Sequence, residues 1–140
     1  MAQASDYVLQ PVGVVRSRLR RREEAPSQGH EGAPDAWLEI DPRFEDTLEG
    51  IVVGREVILL TWLHEARRDE LKTHPRGDPR NRVCGVFATR SPDRPNPIGL
   101  HRVTVVEIDG AHRLRVEPLE ALDGTPIIDI KPVLSDRHGQ

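Results

Sequence analysis

Cysteine is nearly missing from this chain. Cys84 stands alone, which excludes an internal disulfide and any multi-cysteine metal site. Its place beside an apolar segment suggests buried packing. Aromatic residues make up only 4% of the sequence, so a core has to come from aliphatic side chains. No apolar run approaches the roughly 20 residues of a membrane span, and no basic-then-apolar leader opens the chain. A soluble protein of the cytoplasm, with no membrane contact, is expected. Neither GxGxxG, a P-loop nor HExxH occurs. His64-Glu65 lacks the second histidine of a zinc helix, and the six histidines share no ligand spacing, so no metal is expected. No local motif suggests a Ser-His-Asp triad, although triads need not be local.

What is plentiful is punctuation. Twelve prolines and eleven glycines in 140 residues argue for strands and turns over long helices. Residues 1–6 are expected to be frayed, 7–135 to form one domain and 136–140 to be a flexible tail. Residues 7–16 read as a first strand, with apolar positions Val8, Val12, Val14 and Val15 alternating only in part. Residues 19–36 form a long polar loop, and long loops in compact domains are usually functional or disordered. A short strand at 37–40 leads to a helical turn over Pro42–Leu48, with Asp41 as its cap. Arg55–Leu63 is the most apolar stretch and reads as a buried strand. His64–Thr73 could form a short helix, ended by Pro75. Strands follow over 100–108 and 112–119, joined by an Asp109-Gly110 turn. The last strand, 127–132, follows a turn at 122–126. Short strands at this spacing suggest a barrel or a sandwich.

The chain is organised around residues 85–100, GVFATRSPDRPNPIGL. The stretch starts as a strand, with Val86, Phe87 and Thr89 as β-formers. Pro92, Pro95 and Pro97 then break any helix or central strand. Each proline fixes its own φ and drives the preceding residue to extended geometry. The product is a stiff loop carrying Arg90, Ser91, Asp93, Arg94 and Asn96. Gly99 lets the backbone turn or approach a neighbour closely. A rigid polar loop loses little entropy when a ligand arrives, although a proline-rich surface connection would have the same composition.

Net charge is −3, which alone does not suggest a nucleic-acid partner. The distribution says more. Arg16, Arg18, Arg20, Arg21 and Arg22 cluster, and residues 67–102 hold eight arginines. Residues 23–56 hold ten acids against Arg43 and Arg55. Two basic segments flanking an acidic one could form a basic face on a neutral body, or ordinary surface charge.

Three motifs, in order, resemble the TrmO/TsaA (YaeB-like) family. The first is the 85–100 stretch itself. Pro11-Val12-Gly13-Val14-Val15-Arg16-Ser17 resembles the family's opening strand, usually "IGVIRSP". Asp123-Gly124-Thr125-Pro126-Ile127-Ile128-Asp129-Ile130-Lys131-Pro132 resembles its "DGTPVLDIKPY". Together the motifs cover most of residues 8–134. The chain ends at Gln140, like the family's short form without the C-terminal domain of longer bacterial relatives.

The resemblance implies an all-β fold: a small TsaA-like β-barrel with one or two short helices, not Rossmann-like. It implies an S-adenosylmethionine-dependent methyltransferase acting on the exocyclic amine of threonylcarbamoyl-adenosine beside the anticodon of tRNA. It also implies a homodimer with the cofactor near the subunit interface. Carried over by motif, the cofactor-binding residues are Pro26, Ser27, Gln28, His64, Glu65, Arg90, Leu100, Glu120, Ala121, Leu122 and Asp123. Ser27 stands where the family usually has arginine, and Glu65 where it usually has glutamine. In this reading Arg90 grips the methionine carboxylate as a bidentate clamp, and the backbone around Leu122 and Asp123 reads adenine edges. Asn96 is the candidate catalytic residue, positioning the acceptor through its side-chain carbonyl. Two alternatives stay open: the same barrel methylating a small molecule, or a non-catalytic module binding S-adenosylmethionine or nucleic acid.

Overall fold

The structure is a computed structural model and describes residues 6–21 and 34–134. It is all-β. Strands β1 (Gly13–Arg16), β2 (Ala36–Ile40), β3 (Glu56–Trp62), β4 (Lys72–Thr73), β5 (Cys84–Gly85), β6 (Ile98–Asp109), β7 (Arg113–Glu117) and β8 (Pro126–Pro132) are joined by turns. Six of them close an antiparallel barrel in the order β1-β2-β7-β6-β3-β8. The other two, β4 and β5, form a small ribbon of their own. Among the described residues no helix is long and apolar enough to cross a membrane.

Period-two alternation builds the core. Val57 and Leu59 of β3, Val103 and Val105 of β6, Leu114 and Val116 of β7 and Leu38 of β2 all point inward and are fully buried or nearly so. Leu119 and Ala121 close one end from a loop. β3 alternates buried with partly covered positions along its length. The expectation of a strand buried on both faces therefore gives way to a half-covered one, with Ile58, Leu60 and Trp62 on the outside.

Several boundaries differ from the sequence reading for identifiable reasons. The first strand begins at Gly13; Val12 still bonds to Ile127 O and to Asp41 N–H, while Tyr7, Val8 and Leu9 are exposed. No helix forms over 64–73. Leu63 N–H bonds to Pro97 O and Arg67 N–H to the Asp93 carboxylate, so the backbone serves the facing loop instead. Nor do Val86, Phe87 and Thr89 form a strand. They follow the Cys84–Gly85 bridge as a 3-10 turn, with Phe87 83% exposed. Cys84 is only half-buried. Asp41 does cap the turn at Pro42–Leu48, accepting from Arg43 N–H at 2.9 Å; the turn is 3-10 rather than α.

The antiparallel order fixes which loops meet. β1, β3 and β7 run toward one end of the barrel, and β2, β6 and β8 run away from it. Loops 17–35, 63–97 and 118–125 therefore leave from the same end. Every described site residue expected from sequence lies on one of these loops or, for Leu100, just inside β6.

The inward face of β6 carries one titratable group, His101, between Gly99 and Val103. Burial pushes its imidazole down from 6.5 to about 4. The unfolded chain takes up this proton at a higher pH than the folded one. Stability present above pH 6.5 is then lost as pH falls toward 4, by about 2–3 kcal/mol. We expect urea midpoints to drop over this window, and His101→Gln to flatten this part of the pH profile.

Candidate functional site

The 63–97 excursion is held to itself by arginines. Arg94 sits half-buried at its centre. One terminal nitrogen donates to Thr89 O at 3.0 Å and Ser91 O at 2.9 Å. The other donates to Val86 O at 3.0 Å. Gathering these carbonyls onto one cation curls 86–91 into a turn, which is why its β-formers do not make a strand. Thr89 Oγ1 donates to Val86 O and accepts from Ser91 N–H. Arg94 N–H in turn donates to Arg67 O, tying the two halves of the excursion together.

A second arginine works on the facing side. Arg68 Nε donates to Pro95 O at 2.8 Å, and its terminal nitrogen to Asn96 Oδ1 at 2.9 Å. The same guanidinium lies 5.0 Å from the Trp62 ring centroid, a cation–π distance. Asn96 is exposed, but its carbonyl oxygen already holds this bond. The part of the side chain with no described partner is the Nδ2 amide, a donor.

Arg90 differs from both. It is exposed and makes no hydrogen bond or ion pair with a described residue. The signature thus divides its arginines: Arg94 shapes the loop and Arg90 is presented by it. His64 and Glu65 lie at the foot of the same excursion, with His64 Nε2 3.7 Å from Glu65 Oε2. Leu100 is 50% exposed on the outer face of β6, beside Ile98 at 44%.

The 118–125 loop is locked to the end of β1. Ser17 Oγ donates to Ala121 O at 2.8 Å and Ser17 N–H to Asp123 Oδ1 at 3.0 Å. Asp123 N–H donates to Leu19 O, and Gly124 N–H to Val15 O. Asp123 also pairs with Arg20 at 3.2 Å and Arg16 at 3.9 Å. Leu122 O accepts from Thr125 N–H and Oγ1. Asp123 N–H and Leu122 C=O, among the groups expected to read adenine, are therefore engaged within the loop. Ala121 is buried in the core, while Glu120 and Leu122 are half-buried. Pro26, Ser27 and Gln28 lie outside the described residues.

The basic clusters are neutralised in part. Arg16 pairs with Glu39 as well as Asp123, Arg18 with Asp35 and Arg67 with Asp69 and Glu70. Arg80 pairs with Asp78 at 2.8 Å, which holds the Asp78 carboxyl below the usual carboxylate range. Besides Arg90, only Arg76 and Arg82 of the described arginines in this excursion lack a described hydrogen bond, ion pair or ring contact. Among the described residues no cluster of three or more histidine, cysteine or acidic side chains could hold a metal.

The residues missed from sequence are Arg68, the loop-building role of Arg94, and the pair Thr61 and His101 at the barrel end. Only the last left a legible signal. Alternation along REVILLTWL and IGLHRVTV places one polar residue of each strand on the inward face.

Comparison with known proteins adds to this geometry. A family model described as the tRNA-methyltransferase O N-terminal domain matches residues 14–137. A probable S-adenosyl-L-methionine-binding protein of Methanothermobacter thermautotrophicus is 44% identical over 128 residues, covering 91% of this chain and 90% of the relative. An S-adenosyl-L-methionine-binding protein of Archaeoglobus fulgidus is 44% identical over 124 residues, covering 89% of this chain and 87% of the relative. The crystal structure of TrmO from Pseudomonas aeruginosa superposes with a TM-score of 0.72 at 33% identity, covering 91% of this chain and 56% of that one. A further TrmO crystal structure gives 0.74 at 34% identity, with 91% and 57% covered. The chain spans little more than half the length of these solved structures.

The division of labour between the arginines has a direct consequence. Arg94→Ala leaves three carbonyls without their charged donor, and we expect it to cost about 2–3 kcal/mol. Arg90→Ala is expected to change stability by less than about 0.5 kcal/mol. Urea denaturation of the two variants measures both.

Proposed function

This chain belongs to the family of tRNA-methyltransferase O N-terminal domains, and on that premise we propose that it is an S-adenosylmethionine-dependent methyltransferase. The proposed acceptor is the exocyclic amine of threonylcarbamoyl-adenosine beside the anticodon of tRNA. The proposed enzyme is a cytoplasmic homodimer, with the cofactor near the subunit interface. The observation that carries the reading is Arg90, an exposed guanidinium with no described partner on a loop stiffened by three prolines and by Arg94.

The side chains present suit the cofactor's chemistry. Arg90 offers a forked donor for the methionine carboxylate. Glu65 offers a carboxylate to its amino or sulfonium charge. Leu100 and Ile98 offer apolar surface on the outside of the barrel, where a second subunit would also bury them. Loop 118–125 is fixed to β1 by Ser17, so residues 120–123 form a preset wall. The remaining cofactor assignments, Pro26, Ser27, Gln28 and His64, come from motif position.

When bound, the cofactor supplies an electrophilic methyl group on a sulfonium. The protein's share is alignment and exclusion of water. Asn96 is the residue proposed to orient the acceptor. Because Arg68 occupies its carbonyl, Asn96 would do so by donating from its Nδ2 amide to a carbonyl of the threonylcarbamoyl group. Arg68 then fixes the rotamer of Asn96 through a charge-assisted bond. The acceptor nitrogen loses a proton as it is methylated, and no side chain is assigned as the base.

A second reading has support of its own. Several relatives are named for S-adenosyl-L-methionine binding alone, which fits a non-catalytic binding module. Turnover separates the two.

Calorimetric titration with S-adenosylmethionine is the first test. We expect binding by the native protein and at least a tenfold loss in Arg90→Ala; equal affinity would remove Arg90 from the site. Asn96→Ala is expected to lower turnover more than cofactor affinity, and native turnover would remove the positioning role. If the acceptor is tRNA, its affinity should fall steeply between about 50 and 200 mM salt, while cofactor affinity should not.

A further inference from the structure

Two polar side chains meet inside the barrel directly beneath the signature loop. Thr61, fully buried, faces inward at the end of β3. His101 faces inward from β6, one alternation past Gly99. Thr61 Oγ1 and His101 Nε2 are 2.9 Å apart. Gly99 lies against both. A Cβ there would collide with Thr61 Oγ1 and come within 2.8 Å of His101 Nε2 and 3.0 Å of Leu63 Cδ2. The glycine of the Asn96-Pro97-Ile98-Gly99 turn is thus required by this pair.

The neighbouring residues are the anchors of the loop. Thr61 pairs with Gly99 and Trp62 with Ile98 across β3 and β6. Leu63 N–H then donates to Pro97 O at 2.8 Å, and Ile98 N–H to Asn96 O at 2.7 Å. Nothing but regular pairing and these two bonds separates the Thr61–His101 contact from Asn96.

We propose that the Thr61–His101 hydrogen bond is a strut that seats the Arg90–Pro97 loop, making both side chains positioning residues for the groups that loop presents. An aliphatic pair would fill the same space without desolvating polar atoms. A buried hydrogen bond adds direction. A one-residue slip of β6 on β3 would turn His101 to the outer face and break it. The bond therefore favours the register in which Pro97 O meets Leu63 N–H. No charged side chain takes part, and the imidazole stays neutral at the bond. The positioning of Arg90 and Asn96 for methyl transfer rests on the reading above; the seating of the loop does not.

Hydrogen exchange tests the seating by itself. In Thr61→Val the hydroxyl is lost with little change of shape. At pH 7.5 we expect Leu63 and Ile98 amides to exchange at least tenfold faster, with Val57 and Val103 unchanged. Thr61→Ser should restore native protection. His101→Phe removes the bond from the other side and should behave like Thr61→Val. In parallel, S-adenosylmethionine affinity should fall about tenfold in Thr61→Val and recover in Thr61→Ser. Native protection of Leu63 and Ile98 in both bond-deleting variants would overturn the strut. Loosened amides with native cofactor affinity and turnover would overturn the positioning role. Should the native protein bind no S-adenosylmethionine, the methyltransferase reading falls, and the exchange rates alone decide on the strut.

Discussion

The pairing of β3 with β6 is the constraint on which the rest of the site depends. Its register runs without a break from Glu56 opposite Thr104 to Trp62 opposite Ile98. That pairing brings the two ends of the 63–97 excursion side by side and bears the entropy of closing a long loop. Once closed, the excursion needs only local bonds to become rigid. Arg94 gathers three carbonyls, Arg68 holds Pro95 and Asn96, and Asp93 accepts from Arg67 N–H. Prolines lower the number of conformations that these bonds have to select from. The result is a loop whose shape is set before any ligand arrives.

The barrel contributes direction. Six antiparallel strands send three connecting segments out of one end, and the candidate residues from three distant motifs share it. Ser17 and Asp123 link two of those segments, and Arg68 and Arg94 stabilise the third. Ion pairs take up part of the arginine charge at this end, and Arg68 and Arg94 are engaged by neutral oxygens. The charge left over is localised, with Arg90 its clearest example. A localised cation on a rigid support is better matched to one carboxylate or phosphate than to diffuse attraction.

Much of this was legible in the sequence. The motif around Pro92, Pro95 and Pro97 marked a stiff loop because proline chemistry is local. Val57 and Leu59 marked a core strand because alternation is local too. The turns at Asp109-Gly110 and Asp123-Gly124 carried their own signal. What was hidden depended on partners far away in the chain. Val86, Phe87 and Thr89 have strand propensity, yet Arg94 overrides it by taking up the carbonyls of Val86, Thr89 and Ser91. Residues 64–73 are helix-compatible, yet Leu63 and Arg67 give their N–H groups to residues 93–97. Asn96 looked like a free carbonyl, and only the fold brings Arg68 to it. Asp123 was readable both as a turn residue and as a ligand contact, and its carboxylate binds Ser17 N–H and Arg20.

Under the proposed function, this rigid loop and barrel end serve methyl transfer to a modified adenosine in RNA. The most direct measurement is incubation with methyl-labelled S-adenosylmethionine and two tRNA preparations, one carrying threonylcarbamoyl-adenosine and one lacking it, followed by nucleoside analysis. We expect label in the modified nucleoside of the first preparation and none in the second. Equal labelling of both, or no labelling of either, would overturn the proposed function.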